Sequence, residues 1–405
     1  MIKPSLALIA LVMSPMALAD SSHWYDDLQV NGFWTEGMFL TDDNNLYGNS
    51  ETGSFAFHEI AANVSYSLPS GWLLGAQVMS RDAGEVDTDP VQLDYALADY
   101  RFYDGENGLA GIKLGRIKNP FGFYNETRDV AFTRPSVMLP QSLYFDIARD
   151  LELSSDGIGF YADYDTNLGW VENDFIIGVP KRDASVEYAY LSADWPGRFD
   201  DALGVMYRAL VNSRQQGLRF GTTLGYFQLG FDADEAVVAT LPTAQQNAAP
   251  NDGDMKLAVA VLSAQYNLEH WSFTSEYGRQ SIRWGELGGA FALDPNNVAE
   301  SFYLQAEYRA TPEWTWVVRY DQLFLDLDDR NGKKTEALFG KPAHTQYAKD
   351  LTLGVGWQPM GSRWLLRAEL HHVKGTGWLP EQDNPDQNAL KEDWNMLALQ
   401  ATYRF

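Results

Sequence analysis

The sequence has no cysteine among its 405 residues, and this absence excludes a disulfide framework and a thiolate metal site. Basic residues are scarce as well, because 30 lysines and arginines face 55 aspartates and glutamates and leave a net charge of −25. So acidic a chain is not expected to bind nucleic acid, since phosphate contacts need Lys and Arg. Beyond the N-terminus, no apolar run approaches the ~20 residues that a membrane-spanning helix needs. If the protein enters a membrane, it must therefore do so with strands.

The N-terminus has the pattern of a secretory signal peptide. Lys3 precedes an apolar run from Leu6 to Met13, and Ala17 and Ala19 supply the small residues that a signal peptidase reads. We expect cleavage after Ala19, so that residues 1–19 are the signal peptide and residues 20–405 form one barrel domain. The alternative is an uncleaved membrane anchor, for which the apolar run is too short.

Period-two alternation of apolar and polar residues predicts strands with one face in an apolar environment. One such strand places Trp314, Trp316 and Val318 on one face and Arg319 and Asp321 on the other. The expected strands cover residues 28–40, 54–68, 72–81, 91–102, 109–117, 157–164, 170–179, 202–211, 217–231, 255–267, 271–284, 299–309, 314–325, 349–358, 363–374 and 394–405. Residues 255–267 fit either orientation of the alternation, and residues 180–200 could form a further hairpin.

Short turns alternate with long polar segments between these strands, and the strand number is even, which puts both termini on the same side. An open sheet in lipid would leave unpaired N–H and C=O groups along its edges, so the sheet must close. The prediction is an all-β fold, a transmembrane antiparallel β-barrel of about 16 strands with long extracellular loops and short periplasmic turns. The alternative is a large secreted β-protein such as a lectin or a propeller, although no blade repeat of fixed period is present.

The last strand reads Leu399-Gln400-Ala401-Thr402-Tyr403-Arg404-Phe405, with a terminal Phe preceded by alternating apolar residues. This segment resembles the C-terminal signature of bacterial outer-membrane barrels. The resemblance implies that Tyr403 and Phe405 form an assembly signal, and that the barrel assembly machinery is a partner of this chain.

A second segment, Gly115-Arg116-Ile117-Lys118-Asn119-Pro120-Phe121-Gly122, resembles the strand-to-loop segment of outer-membrane porins of the phosphate-selective O/P type and their relatives. This resemblance implies a homotrimer and a long loop folded into the pore. It also implies an integral barrel in the outer membrane of a Gram-negative bacterium, surrounded by outer-membrane lipid and lipopolysaccharide, with both termini periplasmic. The chain lacks a dense arginine ladder or lysine cluster, so the resemblance does not extend to phosphate selectivity.

The longest segment without a predicted strand runs from residue 118 to residue 156. A loop of this length is usually functional or disordered, and this one is too apolar for a solvated tail. We expect it to fold inward, so that its aromatic residues pack on the barrel wall and its charges form the pore constriction. The alternatives are a cap over the outer rim or a subunit contact. The charged constriction residues are Lys118, Arg128, Asp129, Arg134, Asp146, Arg149 and Asp150.

The alternation also predicts which charged side chains of the strands face the lumen. On three strands an Arg lies two residues nearer the periplasm than a carboxylate, which suggests a basic tier under an acidic tier. An equally good interpretation is a structural network of ion pairs that ties the wall together. The predicted pore-wall residues are Arg208, Arg219, Glu276, Glu307, Arg309, Arg319, Asp321, Arg367 and Glu369.

Catalytic motifs are weak. His58-Glu59 begins like a zinc-protease motif, but Ala62 stands where the second histidine belongs, and no G-x-S-x-G elbow occurs. We therefore expect neither an enzyme nor a metal or cofactor. The predicted function is a water-filled channel for passive diffusion of ions and small polar solutes. The alternatives are a surface receptor or adhesin, which would have a blocked lumen and binding loops, or a barrel hydrolase.

Overall fold

The structure of the chain is a computed structural model that describes residues 27–405 apart from 88–90, 183 and 192–194. The expected signal peptide lies outside the described residues. Sixteen antiparallel strands form a closed barrel, in which each strand pairs with its sequence neighbours and the first pairs with the last. The predicted fold class is therefore confirmed. No helix in the part of the chain that the structure describes is long and apolar enough to cross a membrane.

The strands are β1 (Leu28–Thr41), β2 (Ser54–Ser67), β3 (Trp72–Ala83), β4 (Gln92–Gly105), β5 (Gly108–Lys118), β6 (Ser154–Thr166), β7 (Gly169–Pro180), β8 (Gly197–Ser213), β9 (Leu218–Ala233), β10 (Gly253–Asn267), β11 (Trp271–Gly285), β12 (Asn296–Arg309), β13 (Trp314–Phe324), β14 (Tyr347–Trp357), β15 (Trp364–Gly375) and β16 (Asp393–Arg404). The connections contain short helices α1 (Arg149–Leu153), α2 (Ala184–Leu191), α3 (Glu235–Val238), α4 (Thr243–Ala248) and α5 (Lys333–Phe339). Single 3-10 turns occur at Ser50–Thr52, Asn125–Thr127, Ala131–Thr133, Gly289–Ala292, Leu327–Asp329 and Ala343–Gln346.

Two connections differ from the sequence-based expectation. The hairpin considered for residues 180–200 is wrong, because this connection contains the helix α2, whose Val186 and Leu191 pack into a buried apolar cluster. The long loop is also shorter than expected. Lys118 pairs with Ser154 at the end of the β5–β6 ladder, so Lys118 belongs to a strand and the loop covers residues 119–153.

Burial alternates along the strands as a barrel in lipid requires. On β10 the side chains of Leu257, Val259 and Val261 face inward and are buried. The next residue, Leu262, faces outward and is 62% exposed on the outer wall. The structure thus resolves the ambiguous alternation of residues 255–267. It also shows that this part of the inner wall is apolar rather than polar, because the 119–153 segment packs against it.

The two ends of the barrel differ. The short turns and both described termini lie at one end, here called the turn end, and the long connections lie at the other, the loop end. Aromatic side chains pair on the outer wall of the turn end, as in Trp72 with Tyr100 and Trp364 with Tyr403, whose ring centroids are 4.7 and 5.0 Å apart. Such a belt suits a membrane–water interface.

Candidate functional site in the barrel lumen

Residues 119–153, here called the luminal loop, lie inside the barrel. The loop contacts inward-facing side chains on widely separated strands. The backbone N–H of Gly122 donates to Thr223 of β9 at 3.2 Å, and that of Val137 donates to Glu369 of β15 at 2.7 Å. Because β9 and β15 lie on different parts of the wall, the loop crosses the lumen between them.

Wall carboxylates accept hydrogen bonds from the luminal loop. Glu276 is 1% exposed and accepts from the Phe123 N–H at 3.1 Å and from the Tyr144 hydroxyl at 2.6 Å. Glu369 accepts from the N–H groups of Val137 and Met138, at 2.7 and 3.2 Å. A third contact joins the Ser142 N–H to Asp321 at 3.3 Å.

Wall arginines donate to carbonyl groups of the same loop. Arg319 donates to the Met138 carbonyl at 3.0 Å, and Arg367 donates to the Ala131 carbonyl at 2.7 Å. Arg208 reaches the Gly122 carbonyl at 3.4 Å. An irregular segment inside a barrel has backbone groups without ladder partners, which must be satisfied by other groups. The predicted acidic wall residues accept hydrogen bonds from N–H groups of the loop, and the predicted basic wall residues donate to its C=O groups.

A buried network of charges fixes the other side of the luminal loop to β2 and β3. Arg81 of β3 is 2% exposed and forms ion pairs with Glu59 of β2 at 3.3 Å and with Asp146 of the loop at 2.5 Å. Arg128 lies 3.5 Å from Asp146, and Arg134 lies 3.5 Å from Glu59. Burying so many charges costs free energy unless each finds a partner, and the loop supplies those partners.

The structure brings most of the predicted constriction residues together. Arg128, Arg134 and Asp146 belong to the network just described, and Arg149 contacts Asp129 beside it. Lys118 reaches Asp129 from the end of β5 at 2.8 Å. Asp150 lies apart from this group and pairs with Lys181 at 2.6 Å.

Sequence reasoning missed Glu59 and Arg81, which are 1% and 2% exposed at the centre of the network. Glu59 was considered only as half of a metal motif. The signal that could have found it is the alternation of β2, where Glu59 shares the inward face with Phe57 and Ala61. Arg81 lies near the loop end of β3, where the same alternation assigns it to the lumen.

Two carboxyl groups of the loop have opposite protonation behaviour. Burial raises the pKa of Asp146, but the charges of Arg81 and Arg128 outweigh burial and hold that pKa below its usual range. Burial raises the pKa of Glu152 to about 8, because Arg128 offsets only part of the effect. The surroundings therefore favour the ionised form of Asp146 and the protonated form of Glu152.

At the turn end the lumen contains a cavity of about 310 Å³, here called the turn-end chamber. Its roof is the loop segment from Phe132 to Pro135, and Glu307, Arg309 and Arg367 line its wall. Beyond the loop a void of about 10 Å³ is lined by Arg81, Arg128, Arg134, Arg149, Glu59 and Asp146, among others. A void of this size holds about one water molecule. Arg134 lines both spaces and so lies between them.

The remaining predicted wall residue, Arg219, places its guanidinium 4.9 Å from the centre of the Phe123 ring.

His371 is buried between Asp350, 2.8 Å from its Nδ1, and Glu369, 3.3 Å from its Nε2. The Thr352 hydroxyl lies 3.2 Å from the same Nδ1 that faces Asp350. Carboxylates thus face both ring nitrogens, and the Thr352 hydroxyl shares Nδ1 with Asp350.

A closed antiparallel barrel with an apolar outer wall, long connections at one end and an internal loop is the architecture of a transmembrane outer-membrane β-barrel. The chain is similar in fold to an anion-selective porin from Comamonas acidovorans, with a TM-score of 0.55 and 12% identity over 93% of this chain and 99% of the porin. It is similar to OprB of Pseudomonas putida, with a TM-score of 0.56 and 12% identity over 94% of each chain. It is also similar to OmpT, an outer membrane protein of Vibrio cholerae, in its trimer form, with a TM-score of 0.53 and 11% identity over 93% and 99% of the two chains.

No protein-family model and no curated protein sequence matches the chain. At these identities the likeness shows a porin-type barrel fold. The resemblance to porins of the phosphate-selective O/P type stays a prediction.

Proposed function

We propose that the protein is an outer-membrane channel for passive diffusion of ions and small polar solutes, with the luminal loop as its constriction. The observation that carries the proposal is the position of Arg134, which lines both the turn-end chamber and the narrow void beyond it. A solute that moves between these two spaces must pass this side chain. The charge network lines the narrow void, together with apolar side chains such as Phe57 and Leu139.

The charges along this route govern which ions enter, because low-dielectric walls strengthen their field. Four arginines and two carboxylates line the narrow void, which favours anionic groups at the constriction. The connections at the loop end are acidic and enrich cations at the mouth. We infer a weak overall cation preference that the arginines reduce.

Planar-bilayer recording tests the proposal, with single-channel conductance and reversal potential under a salt gradient as readouts. Arg134→Gln should raise cation preference and change conductance. Arg363→Gln removes the same charge from an exposed site at the turn end and should match the wild type. A folded wild-type barrel that never conducts would contradict the proposal.

A second candidate is a surface receptor or adhesin, and one observation favours it. Long connections pack over the lumen at the loop end, where Leu46 and Tyr47 share a buried cluster with Trp378, Leu379 and Leu390. Together with voids of about 10 and 20 Å³ beside the luminal loop, this packing suits a blocked barrel whose connections bind a partner. Absence of conductance in a folded, inserted barrel would select this candidate. We propose that neither form is an enzyme.

The cellular setting is proposed from the signal peptide and the family resemblance. Residues 1–19 direct export, and residues 20–405 insert into the outer membrane with the turn end in the periplasm. Tyr403 and Phe405 act as the signal for the barrel assembly machinery, and the Phe405 side chain is 54% exposed at the outer wall. The barrel assembles as a homotrimer, the form in which the Vibrio cholerae barrel of the same fold is described.

Outer-leaflet lipid is a further proposed partner. Near the loop end, Lys349 lies directly opposite Lys374, and Lys256 lies directly opposite Arg283, all on the outer wall. Like charges in such positions destabilise a sheet. Asp254 pairs with Lys256 and Glu392 pairs with Lys374, and a lipopolysaccharide phosphate would add stabilisation at Lys349 and Arg283. Exchanging Lys349 and Lys374 together for Gln should reduce the lipopolysaccharide that copurifies with the barrel. The loop-end double variant Lys333→Gln with Lys391→Gln is the matched control and should retain it.

A further inference from the structure

The turn-end chamber holds charged groups whose hydrogen-bonding capacity the rest of the protein does not fill. Within the described part of the chain, Glu307 and Arg309 form no side-chain hydrogen bond and no ion pair within 4.0 Å, although both line this cavity. The Arg134 side chain is 7% exposed, and its Nε and Nη2 atoms have no hydrogen-bond partner. The chamber therefore combines a buried arginine, which lies 3.5 Å from Glu59 but keeps unbonded N–H groups, with Arg309 and Glu307, which form no ion pair within 4.0 Å in the described part of the chain.

These groups contrast with the charges deeper in the lumen. Glu276 accepts hydrogen bonds from four different groups, and Arg319 donates to the luminal loop and to Thr352. These charges bind mainly to the protein itself, and of the Arg319 nitrogens only Nε lacks a hydrogen-bond partner. The unbonded N–H groups of the buried Arg134 are costly unless water or a ligand satisfies them. Arg309 is exposed and can turn to a solute in the chamber.

The chemistry of the lining defines the ligand. A guanidinium presents a planar fork of donors that matches a carboxylate, and Arg134 and Arg309 supply two such forks. Glu307 accepts hydrogen bonds, and Gln358 both donates and accepts, so these residues suit hydroxyl or ammonium groups next to the carboxylate. Tyr124 and Phe132 close the space with apolar rings. The volume of about 310 Å³ lies at the lower end of the ~300–1,000 Å³ typical of small-molecule sites.

We propose that the turn-end chamber is a binding site for small carboxylates that carry hydrogen-bond donors, such as hydroxy acids. Arg309 and Arg134 bind the carboxylate, and Glu307 binds a donor group of the same molecule. The site deepens the proposed channel function by naming a class of solute. Because the chamber opens at the turn end, a ligand reaches it whether or not the luminal loop lets solutes pass.

Isothermal titration of the folded full-length barrel in detergent tests the site, with gluconate as the probe. Gluconate should bind saturably, whereas glucose, which lacks the carboxylate, and acetate, which lacks the hydroxyl groups, should bind at least about tenfold more weakly. Arg309→Gln should weaken gluconate binding at least about tenfold, and Glu307→Gln should weaken it without restoring glucose binding. Arg363→Gln, at the same end but outside the cavity, should bind like the wild type.

The results that overturn the site are distinct from those that overturn the channel. Gluconate that fails to bind a conducting barrel, or glucose that binds as well as gluconate, would refute this inference and leave the channel proposal standing. Equal losses in Arg309→Gln and Arg363→Gln would show a general charge effect and would also refute it. A barrel that binds gluconate but does not conduct would support the site and contradict the channel. Heat-modifiable migration in electrophoresis establishes that each variant is folded.

Discussion

Replacing Glu276 with Gln should loosen the luminal loop without unfolding the barrel. Two of the four hydrogen bonds to Glu276 come from the loop, namely the Phe123 N–H and the Tyr144 hydroxyl, while Ser263 and Tyr303 belong to the wall. A hydrogen bond to a charged group contributes ~1.5–3 kcal/mol and a neutral one ~0.5–1.5 kcal/mol. Neutralising the acceptor therefore removes ~1–1.5 kcal/mol from each loop contact, or ~2–3 kcal/mol in total. The detached population of this part of the loop should rise about 30- to 150-fold.

Thiol labelling measures this population directly, since the chain has no cysteine of its own. Ser142 lies two residues before Tyr144 and is 3% exposed. In a Ser142→Cys background, the labelling rate should therefore rise by the same factor when Glu276 is replaced. Bilayer recording should show more frequent visits to a higher conductance. Glu300→Gln is the matched control, because Glu300 also accepts from a tyrosine, Tyr277 at 2.7 Å, but faces outward. Unchanged labelling in Glu276→Gln, or an equal rise in Glu300→Gln, would refute the reasoning.

Deleting Phe405 should lower the amount of folded, heat-modifiable barrel at ordinary expression levels, and normal assembly would count against its role as an assembly signal. In intact cells a membrane-impermeant thiol reagent should label Gln245→Cys, in the exposed β9–β10 connection, and leave Ser70→Cys unlabelled; the reverse pattern would invert the proposed orientation. Glu152 has a pKa of about 8 in the folded protein against 4.5 ordinarily, so the fold favours its protonated form. The stability linked to this group is present below pH 4.5 and is lost as pH rises through about 8. Glu152→Gln should flatten this decline in thermal unfolding scans, and an unchanged slope would contradict it.

The sequence alone was sufficient for the barrel and, outside residues 255–267, for the direction of its strand side chains. Alternation in segments such as Trp314–Phe324 is a local property, and it assigned Arg319 and Asp321 to the inward face that the structure gives them. The strand count follows from the same pattern, because every strand pairs with its sequence neighbours. These features need no knowledge of contacts between distant residues.

Contacts between distant residues account for what sequence reasoning missed. Alternation places Glu59 and Arg81 in the lumen but does not reveal that both meet the luminal loop, which lies far from each of them in the chain. The apolar inner face at Leu257 and Val259 also depends on the loop, because it is apolar where the loop covers it. The helix α2 was missed because eight residues are too few for a clear helical period.

The wall holds the luminal loop largely by its main chain. Glu369 and Arg319 bind the N–H and C=O of Met138, and Arg367 binds the carbonyl of Ala131. Main-chain groups are the same in every residue except proline. Mutations at positions such as Val137 or Met138 can therefore change the side chains of the loop while its hydrogen bonds to the wall persist. The solute preference of such a barrel could thus evolve through substitutions in the luminal loop, while the strands that hold the loop stay unchanged.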